Sequence, residues 1–259
     1  MLTFRNTTFV FFILLFMLNI LGILGIPVHL YEYIILVVLY LAFSVAMSFF
    51  IRSGYHMKAW SRALTEEKTV SITFDDGPDS ELTPVLLDHL KSLGIPATFF
   101  CIGRKISGNK ELLRRMHSEG HLIGTHSYSH SDWFDFFSPA RMRRELENSG
   151  RAVFEATGKK PLLFRPPYGV INPMLKMALN GSGFYVIGFS NRAWDTSSRK
   201  KEVILARIMR NLKPGDIILL HDSVPETIEI IANMAERMKQ SSYRIVPLDK
   251  LLNIPAYEV

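Results

Sequence analysis

One cysteine, Cys101, stands alone in 259 residues. An internal disulfide framework and a cysteine-rich zinc site are both excluded. Its neighbours Thr98, Phe99, Phe100 and Ile102 read as a buried strand, so a core thiol is the expected role. A nucleic-acid-binding motif is missing as well, although the net charge is +6 and the pI is near 9.4. The basic residues fall instead in scattered helix-face clusters, Arg141, Arg143 and Arg144 in one and Arg199, Lys200 and Lys201 in another. Such clusters suit a solvated face or anionic lipid headgroups, and no nucleic-acid partner is expected. Internal repeats, low-complexity tracts and a second soluble domain are also lacking.

Charge is missing altogether from two stretches. Hydrophobic residues make up 48% of the chain and the mean hydropathy is +0.14, but the excess is concentrated near the start. Residues 8–26 carry no charge and, past Thr8, one polar side chain, Asn19; residues 34–51 carry no charge and the serines Ser44 and Ser48. Each is about as long as a helix needs to cross roughly 30 Å of hydrocarbon. A cleaved signal peptide is the alternative for the first, but its apolar stretch exceeds the usual 7–15 residues or so and no small-x-small site closes it. The expected organisation is a two-helix transmembrane hairpin over 1–51, a juxtamembrane linker over 52–65 and one domain over 66–259. Arg5 and the α-amino group of Met1 precede the first span, Arg52, Lys58 and Arg62 follow the second, and the intervening PVHLYEY at 27–33 has no Lys or Arg. Positive residues near helix ends tend to stay in the cytoplasm, so this asymmetry places the domain on that side.

From residue 66 on, short apolar runs at 69–75, 97–102, 122–125, 162–165, 185–189, 216–221 and 243–246 alternate with amphipathic stretches such as 81–93 and 139–156. Strands alternating with helices predict parallel βαβ units, hence an α/β barrel or open sheet. In a parallel barrel the C-terminal strand ends open on one face, where active sites are built. Polar residues gather at those ends: Asp75 and Asp76 in TFDDGPDS, His126 and His130 in GTHSYSH, Arg165 and Tyr168 in FRPPYG, then Trp194 and Asp195, then His221 in IILLHDS.

These residue types have a shared chemistry. Histidines four apart share a face on one helical turn and can grip one cation. Two histidines and one carboxylate form a frequent catalytic zinc set with open positions for water and substrate. One member of the Asp75–Asp76 pair then serves as ligand, and the other is left free as a base. Taken singly, adjacent acids are more often a solvated turn, HxxxH more often structural, and His221 or Trp194 more often core. The combination is more specific than its parts. His56, His89, His117 and His121 lack a partner motif and read as structural. DSELTP at 79–84 reads as a capped helix start, with Asp79 or Ser80 as the cap.

Over residues 66–252 or so the chain resembles the polysaccharide deacetylases of the NodB-homology type, carbohydrate esterase family 4. TFDDGPD, HSYSH, RPPYG and LLH at 219–221 match four family motifs in order; the remaining one is loose, because Trp194 precedes Asp195 where the family often shows Asp followed by Trp. The resemblance implies a distorted (β/α) barrel of about seven strands and metal-dependent removal of an N-acetyl group from an amino sugar. By matching position it implies Asp75 as general base, with Asp76, His126 and His130 holding one divalent metal ion, zinc first, with Co2+, Ni2+ or Mn2+ as alternatives. It further implies that Arg165 pairs with Asp75, that the Tyr168 N–H lies at the oxyanion, and that His221 is the general acid, oriented by Asp195. Leu219 would line the acetyl pocket, with Trp194 beside it. Expected partners are the lipid bilayer and an N-acetylated glycan or lipid-linked sugar. Relatives on this fold also release formyl groups from lipid-linked sugars or acetyl esters from carbohydrate, and a decayed barrel would bind glycan without chemistry.

Overall fold

The computed structural model describes residues 2–197 and 199–258; the amino-terminal Met1, Ser198 and Val259 lie outside the described residues. Two helices lead, α1 (Phe4–Ile23) and α2 (Leu30–Ser48), with mean hydropathies of 2.1 and 2.0 over their most apolar windows. Both are long and apolar enough to cross a membrane, and apart from Ser48 none of their residues is buried. They meet each other through polar and aromatic contacts: Thr8 Oγ1 lies 2.7 Å from the Tyr40 hydroxyl, and Phe11 stacks on Tyr40 at 4.4 Å.

The rest of the chain builds a curled parallel sheet with helices outside, as expected. Its strands are β1 (Thr69–Asp75), β2 (Thr98–Cys101), β3 (Leu122–Thr125), β4 (Leu163–Phe164), β5 (Tyr185–Val186), β6 (Asn191–Arg192), β7 (Ile217–His221) and β8 (Arg244–Ile245). The hydrogen-bonded order is β5-β4-β3-β2-β1-β7-β6, and β8 pairs with β1 off that path. The run at 243–246 is therefore a side strand. A two-residue strand not expected from the sequence, β6, takes its place beside β7.

Side-chain alternation explains the layers. In β1, Val70, Ile72 and Phe74 point outward into a core shared with Leu86, Leu87 and Leu90 of α3 (Leu82–Leu93) and Ile230, Ile231 and Met234 of the helix Glu226–Gln240. Thr73 and Asp75 point the other way and are buried. β7 repeats the pattern, with Ile218 and Leu220 in the same outer core. Cys101 is fully buried there as a core thiol. Of the two expected caps of α3, Asp79 and Ser80, neither is the N-cap, which is Glu81, but the Asp79 carboxylate accepts from the N–H groups of Glu81 and Leu82 at the start of the helix.

Residues 52–65, expected as a plain linker, contribute to the barrel wall. The Trp60 N–H donates to Val186 O and the Gly188 N–H to Trp60 O, while the Ala63 N–H donates to Gly215 O. The segment thus spans from the β5 side to the start of β7, with Arg62 reaching Asp216 at 2.5 Å. A side chain at Gly188 would run into Ser61, whose Oγ would stand 2.2 Å from a Cβ. The end of α2 is tied to the same unit: the Ile171 N–H donates to Ser48 O, and Ile51 joins a core with Phe134, Phe137 and Leu175.

Candidate active site

Parallel pairing puts the chemistry at one end of the sheet. Asp75 lies opposite Phe100 on β2 and opposite His221 on β7, so the last residues of β1 and β7 are neighbours. His126 follows β3, Arg165 follows β4, and Trp194 and Asp195 follow β6. Asp75, Asp76, His126, His130, Tyr168, Leu219 and His221 come together around a cleft of about 210 Å³, with Gly169, Phe189, Arg192 and Thr196 completing the wall. A larger groove of about 490 Å³ lies against Phe154 and Phe184, but no histidine lines it.

The backbone around the cleft is held in an unusual state. Asp76, Ser127, His130, Tyr168 and Trp194 all adopt left-handed conformations, with φ of 73°, 59°, 45°, 58° and 64°. Non-glycine residues enter this region at a cost of about 1–3 kcal/mol each and persist where surrounding contacts over-determine them. The two histidines converge for this reason and not, as the spacing suggested, on a helical turn. Residues 126–130 form an irregular loop, the His130 N–H donates to Ser127 Oγ, and the rings lie 5.0 Å apart.

Asp76, His126 and His130 offer three ligand atoms within 4.8 Å of one another. His126 Nε2 is 3.5 Å and His130 Nε2 3.2 Å from Asp76 Oδ1. His126 Nδ1 lies 2.8 Å from the Arg165 carbonyl, a partner that can only accept. Nδ1 therefore donates to that carbonyl, and the Nε2 edge of the ring faces Asp76. Burial, and then the neighbouring His126, hold His130 below the ordinary histidine value, which favours its neutral form. Asp76 Oδ1 is buried with no hydrogen-bond donor. Two imidazole nitrogens and a carboxylate oxygen converge on one point, and a cation is a group that fits such a donor set.

Asp75 is held differently. It accepts one hydrogen bond, at Oδ1, from Arg165 Nη1 at 2.8 Å, while its Oδ2 lies 3.9 Å from His126 Nε2. Arg165 is wholly buried inside the barrel, and three more of its five N–H groups donate to Thr73 Oγ1, Ile187 O and Gly188 O. Its guanidinium lies over the Phe100 ring at 4.1 Å. Burial pulls the guanidinium below its ordinary value, and the Asp75 charge opposes that pull.

His221 is braced by Asp195, the residue whose motif was loose. Asp195 Oδ1 is 2.8 Å from His221 Nδ1, and Oδ2 accepts from the His221 N–H and from Thr227 Oγ1. Burial disfavours the imidazolium, but the Asp195 hydrogen bond and the charges of Asp195, Asp75 and Asp76 outweigh it and raise the pKa. Tyr168 packs edge-on against His130 at 5.0 Å, and its hydroxyl donates to Asp132. Burial and Asp132 push that phenol up to about 12.

Trp194, expected in the acyl pocket, is not among the residues lining the cleft; its ring lies 4.2 Å under the Arg192 guanidinium, which takes the wall position. Two further residues escaped the sequence reading. Arg192 sits on the short strand β6, opposite Leu219. Asp222 is buried behind the DDGP turn, accepting from Thr83 Oγ1, and a Cβ at Gly77 would collide with it at 2.0 Å. Burial raises the Asp222 carboxyl to about 7. An acid directly after His221 was the available signal for Asp222; a two-residue strand gave none for Arg192.

The chain is similar to known proteins in both sequence and fold. Residues 62–187 match the family model for polysaccharide deacetylase. The chain is 36% identical over 197 residues to a peptidoglycan-N-acetylglucosamine deacetylase of Bacillus cereus, a match covering 72% of this chain and 89% of that protein. It is 32% identical over 184 residues to the peptidoglycan-N-acetylglucosamine deacetylase PgdA of Listeria monocytogenes, covering 71% of this chain and 39% of that protein. Among solved structures, a peptidoglycan N-acetylglucosamine deacetylase in complex with 4-naphthalen-1-yl-N-oxidanyl-benzamide superposes with a TM-score of 0.72 at 28% identity, covering 77% of this chain and 95% of that one.

Proposed function

The chain belongs to the polysaccharide deacetylase family, hydrolases acting on carbon–nitrogen bonds of N-acetylated sugars, and we propose that its cleft removes the N-acetyl group of an amino sugar in a membrane-linked saccharide by a metal-dependent route. The observation that carries the reading is the division of labour between adjacent acids. Asp76 Oδ1 is buried without a donor among imidazoles, whereas Asp75 is anchored by Arg165 with one oxygen left for a proton.

Asp76, His126 and His130 would hold a divalent cation, zinc first, which when bound supplies Lewis-acid polarisation and an acidified water. The chain's own residues then do the proton work. Asp75 accepts the proton of the attacking water at Oδ2, while Arg165, buried and held by four hydrogen bonds, aims the carboxylate. Such positioned acid–base groups contribute about 10²–10⁴ in rate each. His221, kept protonated by Asp195, donates to the departing amine. The Tyr168 N–H, presented on a left-handed residue at the cleft wall, stabilises the negative charge that develops on the carbonyl oxygen. Leu219, on the wall between Arg192 and His221, limits the acyl group to a small one.

In this reading α1 and α2 cross the bilayer and the barrel faces the cytoplasm, where Lys and Arg flank the spans. The short tie between Ser48 and Ile171 keeps the barrel against the membrane and suits a lipid-linked sugar. Finished peptidoglycan outside the cell is the second reading, favoured by the substrates named for the relatives. A reporter active only outside the cytoplasm, fused at the C-terminus, decides the side: a silent reporter supports the first reading and a strong signal the second. The reaction is tested by mass spectrometry of N-acetylated and N-formylated saccharides incubated with the detergent-purified chain. Loss of one acetyl group is expected; unchanged substrates, or loss of a formyl group alone, would overturn the assignment.

A further inference from the structure

Resting on that reading, we propose that Arg192 selects an amino sugar carrying an anionic substituent, a phosphate or a carboxylate, close to the acylated nitrogen. Arg192 stands on β6 directly opposite Leu219 and lines the cleft together with Asp75, Asp76, His130 and His221. Its guanidinium is positioned by aromatic faces, 4.2 Å over Trp194 and 5.9 Å from Phe189, and Arg207 backs the same Trp194 ring at 6.0 Å. Those faces hold the side chain without using its hydrogen-bond donors. Its Nε is buried with no partner, and among the described residues no carboxylate approaches the group within 4.0 Å. The contrast with Arg165 is direct: that arginine has Asp75 and spends its donors on protein acceptors.

An arginine stacked on aromatic rings at a cleft wall, with no hydrogen bond from its guanidinium to the described residues, is suited to a bidentate anion. A neutral sugar would satisfy the donors only with hydroxyls. The candidate anions are the phosphate of a glycosyl phosphate, as in a lipid-linked precursor, and the carboxylate of an N-acetylmuramic acid unit. Both meet the same guanidinium with the same chemistry, and they separate the two substrates of the preceding section.

Binding of N-acetylglucosamine, its 1-phosphate and N-acetylmuramic acid to the full-length chain in detergent tests this, read by calorimetry and by the fluorescence of Trp194 against the other tryptophans. At least one anionic sugar is expected to bind about 10–100-fold more tightly than the neutral one, the size of a charge-assisted pair. Arg192→Gln should erase that ratio, Arg192→Lys should keep part of it, and added salt should shrink it. Preference for the phosphate identifies a lipid-linked precursor, and preference for the carboxylate a muramic acid unit. Equal binding of all three by the unsubstituted chain, or an unchanged ratio in Arg192→Gln, would overturn the proposal. Deacetylation measured on the same samples is a separate readout. Preference without turnover defeats the hydrolase reading alone, and turnover without preference defeats this inference alone.

Discussion

Two aspartate–arginine pairs sit at opposite ends of one barrel, and they are built for different ends. At the closed end, Asp216 is fully buried and its oxygens accept from Arg62 Nη2, Ser190 Oγ and the Lys213 N–H. At the open end, Asp75 accepts from Arg165 alone among the described residues. The difference lies in which member of the pair is saturated. In the first the carboxylate is, and nothing remains for chemistry. In the second the arginine comes nearest to it, with four of its five N–H groups donating to Asp75, Thr73, Ile187 and Gly188, and the acid keeps an oxygen at the cleft. Buried polar groups are normally satisfied, so an acid left short of donors in a family fold is a mark of function.

The largest break in that comparison should come from the ligands around the open end. Replacing His126 or His130 by alanine is expected to abolish tight binding of one divalent ion and activity together, checked by elemental analysis and acetate release on one preparation. Replacing Asp216 by asparagine should do the converse. The variant is expected to lose about 3 kcal/mol of stability, from a buried carboxylate removed from Arg62 and Ser190, while the folded fraction still turns over. Denaturant unfolding beside specific activity separates the two.

A smaller effect is expected at Asp195. Its hydrogen bond and charge raise the His221 pKa, so activity that needs the imidazolium is present at low pH and lost as pH rises through the raised value. Asp195→Asn removes the raising contribution and should move the alkaline limb of the pH profile to lower pH. Smallest is the effect of Asp222→Asn. The Asp222 carboxyl, raised from 3.8 to about 7, binds its proton more tightly folded than unfolded. Stability therefore falls as pH rises between those values. The asparagine variant should flatten that decline, visible in melting curves taken across the range.

Much of the open end was legible before any coordinates. Strand ends carry their chemistry at fixed places, and TFDDGPD, HSYSH and RPPYG are dense local patterns. Even Asp195, whose motif is reversed beside Trp194, reaches His221, because the left-handed turn at Trp194 redirects the chain. The closed end was not legible. Residues 60–63 join the wall through backbone hydrogen bonds, which need no side-chain period and leave no mark in a sequence. β6 has two residues, too few to show alternation, so nothing in the sequence marks Arg192 as part of the cleft wall. The helical turn drawn for His126 and His130 failed for a related reason: a spacing of four is compatible with a helix but does not impose one.

The central claim is that Asp75 and Asp76, adjacent in sequence, do separate jobs. It is tested most directly by measuring bound metal and acetate release together on the unsubstituted chain, Asp75→Asn and Asp76→Asn. The account predicts a metal-replete Asp75→Asn protein with turnover reduced about 10²-fold or more and a metal-poor Asp76→Asn protein. Equal loss of metal in both variants, or full activity in exhaustively chelated protein, would contradict it.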